Sequence, residues 1–346
     1  MKIAIFEIEK DWEKEYYVTQ LNQKLGPALS NIEIIFTSDP LDEFSAKLYT
    51  NLDIVVIYIS SLITEKVLSQ LPNLKLVITR TTGTDHIDVL CCQKRGIMVA
   101  NSPYYASNTV AEHTIGLIFA LAKRVNVAIS KIKNLDFSRE GLLGLDLFGK
   151  KIGIIGTGRI GKEVVRIAHG IGMKVLAHDI KPDPQLKEKF NVTYLSLEEL
   201  LKLSDIIVVM VPYYPKTHHM INLENIKLVK DEAMLINTAR GPIVDTEALI
   251  WALQNQKLQG GIALDVFEGE KLLLEMKKVL EGKFSLQDYE RAFKTLHLLG
   301  YPNVIFTPHT AHYTKDAIKR DILWVVEVIA EFLNYKQLST SYQFYF

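Results

Sequence analysis

Residues 150–179 constrain this chain more tightly than any other stretch. Lys151-Ile152-Gly153-Ile154-Ile155 is short, apolar and rich in branched side chains, as a buried parallel strand should be. Gly156-Thr157-Gly158-Arg159-Ile160-Gly161 follows, and over 162–168 the apolar residues take helical spacing. A second run, Lys174-Val175-Leu176-Ala177-His178, ends on Asp179. Strand, glycine turn, helix, strand and acid in this order make the G-x-G-x-x-G arrangement that binds dinucleotides. Gly156 permits the tight turn, Gly158 lets backbone approach a pyrophosphate, and Gly161 lets helix and strand pack closely. The start of the helix offers free N–H groups and a favourable dipole to the phosphates. Asp179 can accept hydrogen bonds from both ribose hydroxyls and would repel a 2′-phosphate, which favours NAD over NADP. Glycine turns without nucleotides are common; the flanking elements and the acid turn this one into a cofactor signal.

At 346 residues the chain suits two domains of ordinary size. With 48% hydrophobic and 23% charged residues it has the composition of a folded globular protein. Basic and acidic residues number 40 each, so no excess charge draws nucleic acid or an anionic membrane. The two cysteines, Cys91 and Cys92, are adjacent, which argues against an ordinary disulfide and fits a reducing cytosol. Met1-Lys2-Ile3-Ala4-Ile5-Phe6-Glu7 places charges where a signal peptide needs an apolar region. The longest apolar run, 206–211, has the length of a strand and not of a membrane span. The expectation is a soluble, cytoplasmic protein without nucleic-acid or membrane partners.

Strand-like runs at 2–6, 32–36, 53–59, 76–79 and 97–100 alternate with polar or helical connections, the rhythm of a parallel sheet with crossover helices. One glycine of this first α/β domain, Gly83, sits in Arg80-Thr81-Thr82-Gly83-Thr84-Asp85, which reads either as open N–H groups for an anion or as an ordinary turn. Asn101-Ser102-Pro103 breaks the pattern. A helix is expected over 108–123, apolar nearly all round and therefore buried in the core or against another subunit. Glu112 and His113 near its start are adjacent, face different directions, and read as helix-start residues, not a metal pair. From 150 the alternation resumes, with strands at 192–195, 205–212, 233–238 and 261–266 and helices at 197–203 and 246–255. A last helix, 314–334, could return to the first domain. Residues 271–300 read as a helical, polar insertion.

Ligands of open parallel sheets collect at the carboxyl ends of the strands. There the sequence places Thr238-Ala239-Arg240-Gly241 after one strand, Asp265 and then Glu270 after the next, and Thr307-Pro308-His309 after the last. An arginine can clamp a carboxylate with a two-pronged hydrogen bond. A histidine can move a proton, and an acid on its ring favours the imidazolium and fixes its orientation. Each residue alone has a plain structural explanation; the combination around one dinucleotide site suggests chemistry. His309 and His312 lack a third ligand at useful spacing, so no metal is expected, and His218-His219 read as structural.

These residues resemble the D-isomer-specific 2-hydroxyacid dehydrogenase family over nearly the whole chain. The resemblance rests on the motif from Gly156 to Gly161, on Asn237-Thr238-Ala239-Arg240-Gly241, on Ala263-Leu264-Asp265-Val266-Phe267-Glu268-Gly269-Glu270, and on Thr307-Pro308-His309-Thr310-Ala311. It implies two doubly wound parallel-sheet α/β domains: a Rossmann NAD domain, 104–302, carrying a dimerisation helix, inserted into a flavodoxin-like catalytic domain, 1–103 and 303–346. It implies a homodimer, with the buried helix fitting the dimer surface. Arg240 becomes the substrate clamp, Glu270 the partner acid, His309 the proton donor in reduction, and Asp265 a neighbour of the nicotinamide. Arg159 and Ile160 would meet the pyrophosphate, Asp179 the adenine ribose, and Val211, Pro212, Thr217, Thr238 and Ala239 would line the cofactor. Thr82 and Gly83 match the loop whose N–H groups hold the substrate carboxylate.

Within the family the chain looks most like the D-lactate enzymes. Tyr58, after Val55-Val56-Ile57, and Tyr105, in Asn101-Ser102-Pro103-Tyr104-Tyr105, match their substrate-side tyrosines, whereas His312 stands where they usually carry an apolar aromatic. The implied reaction is NAD-dependent reduction of a small 2-oxo acid, pyruvate first. Rival readings are reduction of hydroxypyruvate, glyoxylate or 2-oxoisocaproate, and an NAD-sensing binding protein like the corepressors of the superfamily.

Overall fold

The computed structural model describes residues 1–270, 285–335 and 338. The chain divides into two units, Met1–Ala106 with Thr314–Phe346, and Ser107–Tyr313. Among the described residues no helix is long and apolar enough to cross a membrane.

In the first unit, strands β1 (Lys2–Ile5), β2 (Glu33–Phe36), β3 (Ile54–Ile57), β4 (Leu76–Thr79) and β5 (Met98–Asn101) form a parallel sheet in the order β2-β1-β3-β4-β5. Their branched residues alternate between two cores, as the two-residue period of a strand requires. Ala4, Val55, Ile57 and Val77 face one core with Val67 and Leu68 of α2 (Glu65–Gln70) and Cys92 of α3 (Val89–Lys94). Ile3, Ile5, Val56 and Ile78 face the other, with Tyr17 and Leu21 of α1 (Asp11–Leu25). Ile318, Ile322, Val325 and Ile329 of the chain's last helix close that second core. The last helix thus returns to the first sheet.

In the second unit, β6 (Lys151–Ile155), β7 (Lys174–His178), β8 (Thr193–Tyr194), β9 (Ile206–Val209), β10 (Met234–Asn237), β11 (Gly261–Leu264) and β12 (Val304–Phe306) are all parallel, in the order β12-β11-β10-β9-β6-β7-β8. The direction of winding reverses beside β6, between β9 and β7, which places the ligand crevice of such a sheet outside the carboxyl end of β6. Helices α4 (Ser107–Ala122) and α6 (Arg159–Gly170) cover one face, with α5 (Val125–Lys133) following α4. Helices α8 (Leu197–Leu203) and α9 (Thr246–Gln254) cover the other, and α7 (Pro184–Phe190) lies between β7 and β8 in sequence. The two doubly wound sheets agree with the fold class expected from sequence.

Three expectations change. Residues 303–313, expected in the first domain, belong to the second unit, because β12 pairs with β11 through Ile262–Val304, Ala263–Ile305 and Leu264–Phe306. Residues 104–106 stay with the first unit, where Arg320 Nε donates to Tyr105 O at 2.8 Å. The supposed insertion at 271–300 contains a crossover helix, α10 (Leu286–Leu298), capped by reciprocal Ser285–Asp288 hydrogen bonds. Two adjacent parallel strands need such a connection, and Ala292, Thr295 and Leu298 bury its inner side. The earlier part of that stretch, 271–284, lies outside the described residues. Helix α4 buries Ala111, Ile115, Ile118 and Leu121 in one core with Val164 and Val165 of α6, while its Phe119 stays 39% exposed.

Candidate active site

The glycine turn after β6 has the shape its sequence demands. Gly156 has φ +98°, and a Cβ there would lie 2.9 Å from the backbone of Met210, at the end of β9. Only glycine meets both conditions without strain. A Cβ on Gly161 would run into the carbonyl of Gly156, so α6 could not approach the strand. At Gly158 the space is open, with nothing within 4 Å of a built Cβ. No side chain caps the start of α6 there, which leaves the helix N-terminus available to an anion. Asp179 faces this turn. Its Oδ2 accepts Thr157 N at 2.6 Å and Thr157 Oγ1 at 2.9 Å, and its Oδ1 accepts Lys181 N at 2.8 Å. Burial works against its charge, but these hydrogen bonds hold the carboxyl below its usual range.

Around the neighbouring strand ends the same unit gathers the other candidates. After β9, Thr217 Oγ1 accepts Tyr214 N at 2.8 Å and lies 2.8 Å from Pro212 O, closing the loop that follows Val211. After β10, Asn237 braces the turn, accepting Ala239 N and donating to Arg240 O, both at 3.0 Å. Arg240 Nη1 donates to Ala239 O at 2.8 Å. Gly241 packs so closely on the Phe267 backbone that a Cβ would overlap it, bringing the Arg240 turn beside the loop that leads to Glu270.

After β12, His309 adopts φ +54°, in a region that side chains with a Cβ rarely enter. Its N–H donates to Asp265 O at 3.0 Å and to Thr307 O at 2.9 Å. The Asp265 carboxylate is 1% exposed and accepts Thr307 Oγ1 at 2.5 Å, Thr310 N at 2.9 Å and Ala311 N at 3.0 Å. Burial opposes its charge, yet His113, Thr307 and the two N–H groups together keep the pKa lowered. On this scaffold His309 Nδ1 stands 3.4 Å from Glu270 Oε1, and Phe267 N donates to Glu270 Oε2 at 3.2 Å. Both side chains of the pair stay partly exposed, and His312 meets the His309 ring edge to face at 5.6 Å.

In the first unit the hydrogen bonds shaping the Arg80–Gly83 loop use its carbonyls and hydroxyls. Thr81 Oγ1 donates to Gly83 O at 2.6 Å, Thr82 Oγ1 to Ser102 O at 3.1 Å, and Asn101 Nδ2 to Thr82 O at 2.7 Å. These bonds do not draw on the N–H groups of Thr82 and Gly83. Tyr58 and Tyr105 are nearly buried. Burial first, then Tyr105, pushes the Tyr58 phenol well above its ordinary pKa. The Arg80 guanidinium lies 4.7 Å from the centre of the Tyr58 ring, paired with Asp321 at 2.8 Å and Glu13 at 3.2 Å.

Several of these partners escape the sequence. Asn237, Thr157 and the Arg80 triad carry no local signal of their roles, and His113 reads only as a helix start. His219 and Glu268 form a 3.0 Å pair, and Glu268 Oε2 accepts Thr246 N at 3.0 Å at the start of α9. With Asp245 they bring possible metal ligands within 4.8 Å of one another. Asp245 in turn caps α9 by accepting Glu247 N at 2.9 Å, so this group serves the helix start.

The sequence over residues 115–311 matches the profile of the family described as D-isomer specific 2-hydroxyacid dehydrogenase, NAD binding domain. D-lactate dehydrogenase of Escherichia coli is 32% identical over 320 residues, covering 92% of each chain. An aromatic 2-oxoacid reductase of Clostridium sporogenes is 36% identical over 260 residues, 75% of this chain and 76% of that one. The crystal structure of D-lactate dehydrogenase from Aquifex aeolicus, complexed with NAD and lactic acid, superposes with a TM-score of 0.83 at 38% identity, covering 96% and 95% of the two chains.

Proposed function

The chain belongs to the D-isomer-specific 2-hydroxyacid dehydrogenases, NAD-dependent oxidoreductases, and we propose that it reduces a small 2-oxo acid, pyruvate first, to the D-2-hydroxy acid. The observation that carries the reading is the His309–Glu270 pair, held 3.4 Å apart at the strand ends of the sheet that bears the glycine turn.

The residues present fit the cofactor. The open space at Gly158, the uncapped start of α6 and the acceptors of Asp179 suit a pyrophosphate next to a ribose diol. Asp179 has about four acceptor positions, so its internal bonds leave room for a ribose hydroxyl. Arg159 and Ile160 meet the pyrophosphate in this reading, and Val211, Pro212, Thr217, Thr238, Ala239 and Asp265 line the remainder. When bound, NAD supplies hydride for reduction or takes it up for oxidation.

Arg240 binds the substrate carboxylate with two parallel hydrogen bonds and polarises the adjacent carbonyl. His309 enters reduction as imidazolium and gives its Nε2 proton to the carbonyl oxygen; in oxidation it takes that proton back. Glu270, on the Nδ1 side, aims Nε2. Tyr58, Thr82, Gly83, Tyr105 and His312 are assigned to substrate binding. A polar ring at His312 supports a 2-oxo acid side chain other than that of pyruvate, and the likeness to an aromatic 2-oxoacid reductase makes an aromatic one the second substrate choice.

We assign a homodimer to the apolar side chains exposed after α4: Ile129, Leu135, Phe137, Leu143 and Phe148 are 52–92% exposed. A cytoplasmic location is in keeping with the two free cysteines. The deciding experiment is a panel of pyruvate, hydroxypyruvate, glyoxylate, 2-oxoisocaproate and phenylpyruvate with NADH and NADPH, followed by chiral analysis of the product. Pyruvate with NADH should turn over and give the D isomer. No turnover on any member would favour the NAD-sensing binding protein.

A further inference from the structure

The first turns of α4 touch both loops of the candidate site. Thr114 donates its hydroxyl to Val110 O at 2.7 Å and lies 2.8 Å from the hydroxyl of Thr238, two residues before Arg240. Its proton is spent inside the helix, so Thr238 is the donor of that second bond. His113, one residue earlier, places Nε2 3.3 Å from Thr307 Oγ1 and 3.5 Å from Asp265 Oδ1. Thr307 gives its only hydroxyl proton to Asp265, and an ionised carboxylate has none to give. His113 Nε2 therefore carries a hydrogen and donates to the pair.

What the pair does is visible in the turn it organises. The Asp265 carboxylate takes the N–H groups of Thr310 and Ala311, and its carbonyl takes that of His309. One residue thus fixes the left-handed backbone at His309, and His113 is the titratable donor it accepts. We propose that His113 is a positioning residue for the reaction: donating Nε2–H to Asp265 and Thr307, it holds the 307–311 turn and with it the approach of His309 to Glu270. This rests on the reading of His309 as proton donor, and it adds the helix residue that keeps His309 in place. Among the described residues, Asp265 faces His113, and Glu270 at 3.4 Å and His312, ring to ring at 5.6 Å, face His309.

Three variants test it. His113→Phe keeps a ring and removes the donor, Thr307→Val removes the intervening hydroxyl at nearly constant shape, and His113→Gln restores an N–H close to the Nε2 position. The readout is the titration midpoint of the His309 ring, followed by NMR in the whole protein with ¹³C-labelled histidine and assigned with His309→Ala. It is paired with kcat and KM on the best 2-oxo acid. A looser turn changes the approach of Glu270 to the ring, so in His113→Phe and Thr307→Val the midpoint should move away from that of the unmodified protein. In the same variants kcat should drop roughly 10- to 100-fold while KM for NADH stays within about twofold. His113→Gln should recover most of both. If His113→Phe does not fold, Thr307→Val decides. An unmoved His309 midpoint in the folded variants overturns the proposal, whatever their activity. Failure of the dehydrogenase reading would appear separately, as an unmodified protein that turns over no 2-oxo acid while the NMR comparison still stands.

Discussion

His309 carries a β-carbon where the backbone favours glycine, at φ +54°. Such strain persists only when surrounding bonds over-determine it, and here the carbonyl and carboxylate of Asp265 do so. His309→Ala leaves that backbone demand unchanged and removes only the ring. Turnover should fall by a factor on the order of 10²–10⁴ with NADH binding, read by fluorescence quenching, retained; near-normal turnover would take His309 out of the mechanism. Asp179→Ala should raise NADPH use relative to NADH, measured as the ratio of the two kcat/KM values. An unchanged ratio would remove Asp179 from ribose recognition. Gly156, Arg240, Glu270 and His309 are legible in sequence because each sits in a short run that ends a strand. The partners of Asp265 are not, since Thr307, Thr310 and Ala311 lie 42–46 residues away, two of them bonding through backbone N–H groups, and His113 lies farther still.

The strands are legible as elements because their branched residues are buried on both faces of the sheet. Their ends are not: the run expected at 205–212 is paired only over Ile206–Val209. There Asp205 ends the run, its carboxylate accepting Lys151 N at 2.8 Å and Lys230 Nζ at 2.7 Å. α10 is legible as helical but not as a crossover packed on the sheet, because its polar and exposed apolar residues obscure the narrow buried side of Ala292, Thr295 and Leu298. The turn after β12 also makes a testable demand on pH. Asp265 has its folded pKa held below the unfolded value, so its contribution is present above about pH 4 and is lost as pH falls through the folded value. Asp265→Asn should lower stability at neutral pH and flatten its loss on acidification, followed by urea unfolding between neutral and acid pH. Parallel curves for the two proteins would deny Asp265 that role.

At the scale of the whole molecule, the apolar side chains beyond α4 set the expected assembly. Replacing both Phe137 and Leu143 by Asp should shift a dimer to monomer in sedimentation velocity, with the fold unchanged by circular dichroism. A protein that sediments as before would place the dimer surface elsewhere.

The order in which the chain emerges during synthesis gives the two units different histories. Ser107–Tyr313 is continuous, so its sheet can be completed while the last segment is still being made. The first unit has its five strands early, yet Ile3, Ile5, Val56 and Ile78 acquire their cover of Ile318, Ile322, Val325 and Ile329 only at the end. Until then α1 alone covers that apolar face of a finished sheet, and the part left bare is the kind of surface on which nascent chains aggregate or recruit chaperones. A stop codon near residue 314 should therefore damage the N-terminal unit, farthest from it in sequence, and spare the unit beside it.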